Sequence, residues 1–182
     1  MSLILGALQL YVPGVVRNRV MDELFHGTAA AFEAPLPQVQ GLAHEERLRR
    51  YALFTRELAE QALKDEQRSS EVRTRLYANA RALGAKARRQ LRVGSPGEVM
   101  AAGKVLYRVL GIEFCPTTGG EIEIPRCFFS RYYTSEVCRL ISALDEGVVA
   151  GLSQGGRLVF GERLTEGCSC CKARLVARGC EG

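Results

Sequence analysis

The feature that most constrains this chain is a change of pattern at Gly111. Before it, apolar residues recur at helical spacing; after it, short stretches alternate as strands do. All seven cysteines lie beyond that boundary: Cys115, Cys127, Cys138, Cys168, Cys170, Cys171 and Cys180. A helical front half must therefore pack against a short mixed segment that carries the reactive side chains. The sequence reads as an α+β fold. A helical portion over residues 4–111 packs on a small antiparallel sheet with a long helix over residues 112–180, the two together as one domain. Residues 1–3 and 181–182 read as vector-derived ends.

The helices can be placed by their stripes and breakers. Val15, Val16, Val20, Leu24 and Phe25 predict a helix over 14–32, ended by Ala34-Pro35-Leu36-Pro37. Leu48, Tyr51, Phe54, Leu58 and Leu63 predict another over 43–66, and Val72, Leu76, Ala80 and Leu83 a third over 70–91. Ser95-Pro96-Gly97-Glu98 has the form of a capping box with proline at the first helical position, and Gly111 suits the end of that helix. Farther on, Glu121-Ile122-Glu123-Ile124 alternates as a strand. A helix is expected over 136–153, capped by Thr134 or Ser135. Gly155-Gly156 then turns the chain into an antiparallel hairpin of strands over 157–164 and 171–177.

Composition narrows the function classes. Apolar residues make up 47% and charged residues 25%, as in ordinary globular proteins. No apolar run approaches the roughly 18 residues of a membrane span. The opening residues lack a basic segment, so no signal peptide is expected and a cytoplasmic location is. In that reducing setting cysteines serve as ligands, nucleophiles or core residues more often than as disulfides. Only His26 and His44 are available, too few for a histidine-rich metal site. Lys and Arg crowd between Arg47 and Arg92, but they interleave with the apolar stripe as a solvated helix face does. No nucleic-acid partner is expected, and the absence of a glycine-rich phosphate loop argues against a nucleotide cofactor. Helical faces of this length suggest a homodimer.

Candidate chemistry gathers in two places. On the helix over 136–153, Val137, Ile141, Leu144, Val148 and Leu152 form a buried stripe. Cys138 and Asp145 lie two turns apart at its edge. This thiol and carboxylate can line a pocket or ligate a metal, or be a plain buried cysteine and a capping or surface aspartate. In the hairpin, Cys168 and Cys170 flank the turn and Cys171 opens the last strand. With Cys127 and Cys138 they are candidate thiolates for zinc or an iron–sulfur cluster. A thiol nucleophile and unligated cysteines stay open as alternatives. Phe128-Phe129 and Tyr132-Tyr133 can wall an apolar pocket or simply be core. Arg126 and Arg131 flank them and can pair with a ligand carboxylate. Arg126, Phe128, Arg131 and Tyr132 are therefore the candidate ligand-binding residues.

Residues 136–176 resemble the 4-vinyl-reductase, or predicted hydrocarbon-binding, domain family, including its bacteriochlorophyll 4-vinyl-reductase-like members. Cys138 matches a cysteine at a helix start, Gly167 and Cys171 match Gly-x3-Cys, and Glu162 matches an acidic residue before it. The family pattern also has a cysteine four residues before the glycine, where this chain has Arg163. The resemblance implies a small-molecule-binding protein for an apolar or carboxylate-bearing ligand, with a cysteine-lined, metal-bearing site. The same stretch is similar to the group related to L-2-amino-thiazoline-4-carboxylate hydrolase, through Cys138, Asp145, Thr165, Gly167 and Cys171. That likeness implies a cysteine- or metal-dependent hydrolase of a small heterocycle, with Asp145 handling protons.

Overall fold

The computed structural model describes residues 3–117 and 119–176. Its front half is helical: α1 (Leu3–Leu10), α2 (Gly14–Phe32), α3 (His44–Ala62), α4 (Glu66–Leu91) and α5 (Pro96–Val109). The back half holds β1 (Cys115–Pro116), β2 (Glu121–Ile124), α6 (Ser135–Ile141), α7 (Ala143–Ser153), β3 (Arg157–Glu162) and β4 (Cys171–Val176). This is the expected α+β class. Among the described residues, no helix is long and apolar enough to cross a membrane. Cys180 and the expected vector ends 1–2 and 181–182 lie outside the described residues.

Local signals set several boundaries. Ser95 Oγ accepts from the Glu98 amide at 3.3 Å, and Glu98 Oε2 accepts from the Ser95 amide at 3.0 Å, completing the capping box of α5. Just past that helix, Gly111 takes a left-handed φ of 66°. The second and third helices differ from expectation at their junction. The chain leaves the helix at Ala62, and Asp65 caps α4 by accepting from the Arg68 amide at 3.0 Å. A short polar side chain at that point satisfies an orphan amide better than a continued helix would.

The helix expected over 136–153 is two helices, α6 and α7, meeting at Ser142. Ser142 Oγ donates to the Cys138 carbonyl at 2.6 Å and accepts from Arg163 Nη1 at 2.7 Å. Such back-bonding to the preceding turn bends helices.

The sheet is antiparallel throughout, in the order β1-β2-β4-β3. β4 lies between β2 and β3, with Ile124 opposite Cys171 and Ile122 opposite Ala173. The inward face joins Ile122, Ile124, Leu158 and Cys171 to Tyr107 of α5 and Val149 of α7 in one buried cluster. β3 and β4 form the expected hairpin, with a register shift between Phe160 and Glu162.

α4 and α7 are in backbone contact, because glycines leave room. A Cβ at Gly84 would strike the Val148 carbonyl, one at Gly147 the Tyr77 carbonyl, and one at Gly151 the Arg81 carbonyl. The basic face of α4 is turned to its neighbours. Arg73 forks onto Glu146 of α7 at 2.7 and 2.8 Å, Arg88 donates to the Leu152 carbonyl at 2.7 Å, and Lys86 pairs with Glu23 of α2 at 2.7 Å.

Candidate functional site

Where α5, α6 and α7 meet the inward edge of the sheet, they enclose an apolar cavity of about 110 Å³. Its walls come from every part of the fold. Leu24 enters from α2, Tyr51 from α3, Leu83 from α4, Tyr107 from α5, Leu144 from α7 and Cys171 from β4. A cavity this apolar is a natural ligand site, since water inside it finds few partners.

Asp145 is its one acidic group. Burial pushes its carboxyl up from 3.8 to about 6, against the opposing effects of the Tyr107 hydrogen bond and the Arg163 charge. The Tyr107 phenol donates to Oδ1 at 2.7 Å. Protein encloses Asp145 on all sides, yet part of its surface remains accessible.

Three thiols share the cavity with it: Cys127, Cys138 and Cys171. Burial pushes the Cys127 thiol up to about 12, and the nearby Asp145 charge adds to the effect. Cys171 is also raised, mainly by burial, and its sulfur accepts from the Leu164 amide at 3.3 Å. Both are therefore neutral thiols at ordinary pH. Cys138 lies 3.9 Å from Arg163 Nη1. The Arg163 guanidinium is also held by Ser142 and stacks 4.2 Å over the Phe160 ring. The position where the resemblance calls for a cysteine thus places a cation beside Cys138.

Cys168 and Cys170 sit on the loop before β4 and do not line the cavity. Among the described residues, no three His, Cys, Asp or Glu side chains are grouped as metal ligands.

None of the candidate ligand-binding residues Arg126, Phe128, Arg131 and Tyr132 lines the cavity. Phe129 and Tyr133, the second member of each aromatic doublet, line the cavity. Phe128 and Tyr132 do not; the Arg131 guanidinium lies 4.2 Å from the Phe128 ring centre and 5.2 Å from that of Tyr132. Arg126 is exposed and pairs with Glu113 at 2.7 Å. Neither arginine lines the cavity.

Among the polar residues of the cavity, Tyr107, Ser142 and Thr165 were not singled out from the residues themselves. Tyr107 had one available signal, since a phenol on a buried helix face needs a partner for its hydroxyl. Ser142 had none. Thr165, named only through the second resemblance, lines the cavity with its buried Oγ1 lacking any hydrogen-bond partner among the described residues. No protein-family model matches the chain, and no curated protein matches it in sequence.

Proposed function

We propose that the chain binds a small apolar molecule in the cavity between α5, α7 and the sheet, with the thiols and Asp145 shaping recognition. The observation that carries this reading is the convergence of Cys138, Asp145, Thr165 and Cys171 on a single apolar cavity. Those residues come from α6, α7, a 3₁₀ turn and β4, and nothing in core packing requires a carboxylate among them. The walls are otherwise hydrocarbon and aromatic. Apolar cavities on the order of 100–150 Å³ take up ligands the size of benzene. Toluene titrated into the protein, followed by calorimetry or by NMR, tests the reading. Saturable one-to-one binding is expected, and Leu144→Trp, which fills the space, should abolish it. A wild-type protein that takes up no toluene overturns the proposal.

A second reading, hydrolysis of a small heterocycle, is favoured by one specific observation. Cys138 and Asp145 lie on different helices yet line the same cavity, as a thiol nucleophile and a proton-handling carboxyl would have to. Ring opening of an aminothiazoline carboxylate, followed by mass and lost in Cys138→Ala, tests it.

A further inference from the structure

We propose that the cavity selects a small apolar ammonium ion, an aromatic or alkyl amine, and that the free carboxylate oxygen of Asp145 receives its N–H groups. This rests on the ligand-binding reading above and names the ligand class. Most polar atoms of the cavity wall are already paired. Ser130 Oγ donates to the Cys127 carbonyl at 2.8 Å, and Ser142 Oγ is held by the Cys138 carbonyl and Arg163. The Tyr51 hydroxyl is paired with Thr28 at 2.8 Å, and the Tyr133 hydroxyl with Thr55. The Tyr107 hydroxyl is given to Asp145 Oδ1. Thr165 Oγ1 has no hydrogen-bond partner among the described residues, and the Tyr107 bond to Asp145 goes to Oδ1, leaving Oδ2 for a ligand. Both accept hydrogen bonds, and one of them carries charge when ionised.

The wall itself supplies no cation to match, and Arg163, whose charge reaches Asp145, stands outside it. Among the described residues lining the cavity, none is Lys, Arg or His. Arg163 is engaged by Ser142 and lies 3.8 Å from Glu166. A buried carboxylate without a partner is costly, and a ligand that brings the missing positive charge relieves that cost on binding. The walls favour the same chemistry. Tyr51, Tyr107, Phe129 and Tyr133 all line the space. Aromatic faces attract cations, most strongly where water is excluded. A ligand carboxylate, by contrast, would meet the like charge of Asp145, and neither Arg126 nor Arg131 is there to offset it.

Benzylamine, benzyl alcohol, benzoate and toluene form a matched series for the test. All are titrated calorimetrically at pH 8, where Asp145 is ionised and benzylamine is protonated. Benzylamine is expected to bind at least about 10-fold more tightly than benzyl alcohol, with benzoate weakest. Asp145→Asn should bring benzylamine to the level of benzyl alcohol. If that variant does not fold, the wild-type ranking decides alone. Benzyl alcohol equal to or tighter than benzylamine, or benzoate tightest, overturns the inference. Toluene binding with no binding of the three polar ligands overturns it too, but leaves the ligand-binding reading intact. Failure of all four, toluene included, brings down that reading and this inference with it.

Discussion

The Tyr107 phenol donates a 2.7 Å hydrogen bond to Asp145 Oδ1, tying α5 to α7 across the wall of the cavity. The pair is 38 residues apart in sequence. It keeps a carboxyl in a site that burial makes hostile to charge, and it leaves the second oxygen free. The pH behaviour of the protein should register that compromise.

The unfolded chain releases the Asp145 proton near 3.8, and the folded protein releases it at about 6. The folded state therefore holds the proton more tightly. The stability this group confers is fully present below about pH 4 and is lost as pH rises through 6, on the order of 3 kcal/mol in all. Other carboxyls titrate in the same window, so the measurement is a difference. Urea unfolding of wild type and Asp145→Asn at pH 4 and pH 7 should show the wild type losing ground to the variant at the higher pH. An unchanged difference would contradict the buried carboxyl.

Tyr107→Phe removes the donor and leaves the carboxylate. A loss of about 1–3 kcal/mol at pH 7 is expected. The same substitution should raise the Asp145 pKa further, since the phenol holds it down. The carboxyl carbon shift of Asp145, followed by NMR across pH in both proteins, reads this directly. A midpoint that stays in place or moves down would refute the assigned role of the phenol.

The α4–α7 contact makes a sharper stability prediction. A Cβ at Gly147 would lie 2.8 Å from the Ala80 Cβ besides striking the Tyr77 carbonyl, and these backbone atoms have no flexible end to yield. Gly147→Ala should cost about 3 kcal/mol or more, and Gly151→Ala a similar amount. Gly97, with nothing within 4 Å of its Cβ position, is the control. Gly97→Ala should be neutral or stabilise by up to about 1 kcal/mol. Thermal unfolding of the three variants gives the comparison, and equal melting points would discredit the close packing.

The cysteines should differ in reactivity. Cys127 is pushed up to about 12 and Cys171 is raised by burial, so both are thiols at pH 8. Cys168 and Cys170 are half-buried on the loop before β4. Alkylation by iodoacetamide, mapped by mass spectrometry, should label Cys168 and Cys170 well before Cys127. Early labelling of Cys127 in the folded protein would show that the cavity is more open and more polar than described. An amine ligand should slow what labelling Cys138 undergoes.

How much of this was legible in the sequence depends on the range of the interaction. The α5 capping box joins residues three apart, so Ser95-Pro96-Gly97-Glu98 announces it unaided. Glu121-Ile122-Glu123-Ile124 and the hairpin strands are likewise written in alternation. The placement of Cys138 and Asp145 on one side followed from helical period and holds in outcome, though by a different path. At Ser142 the hydroxyl bonds back to the Cys138 carbonyl and is held by Arg163, 21 residues later, and helical period alone carries no sign of that second contact. The aromatic doublets were open in the sequence to either reading, pocket wall or core, and only the packing shows that Phe129 and Tyr133 line the cavity while Phe128 and Tyr132 do not.

The sequence by itself determined the helical front, the strand pattern and the crowding of thiols after Gly111, because caps, periodicity and turn residues act over a few positions. Only the tertiary structure decided which of those thiols meet. Cys127, Cys138 and Cys171 share a cavity with Asp145, while Cys168 and Cys170 stay outside it. The reason is physical: a side chain's environment is created by the elements packed against it. For Asp145 those are α5, through Tyr107, and the segment carrying Arg163, neither of which is near it in the chain.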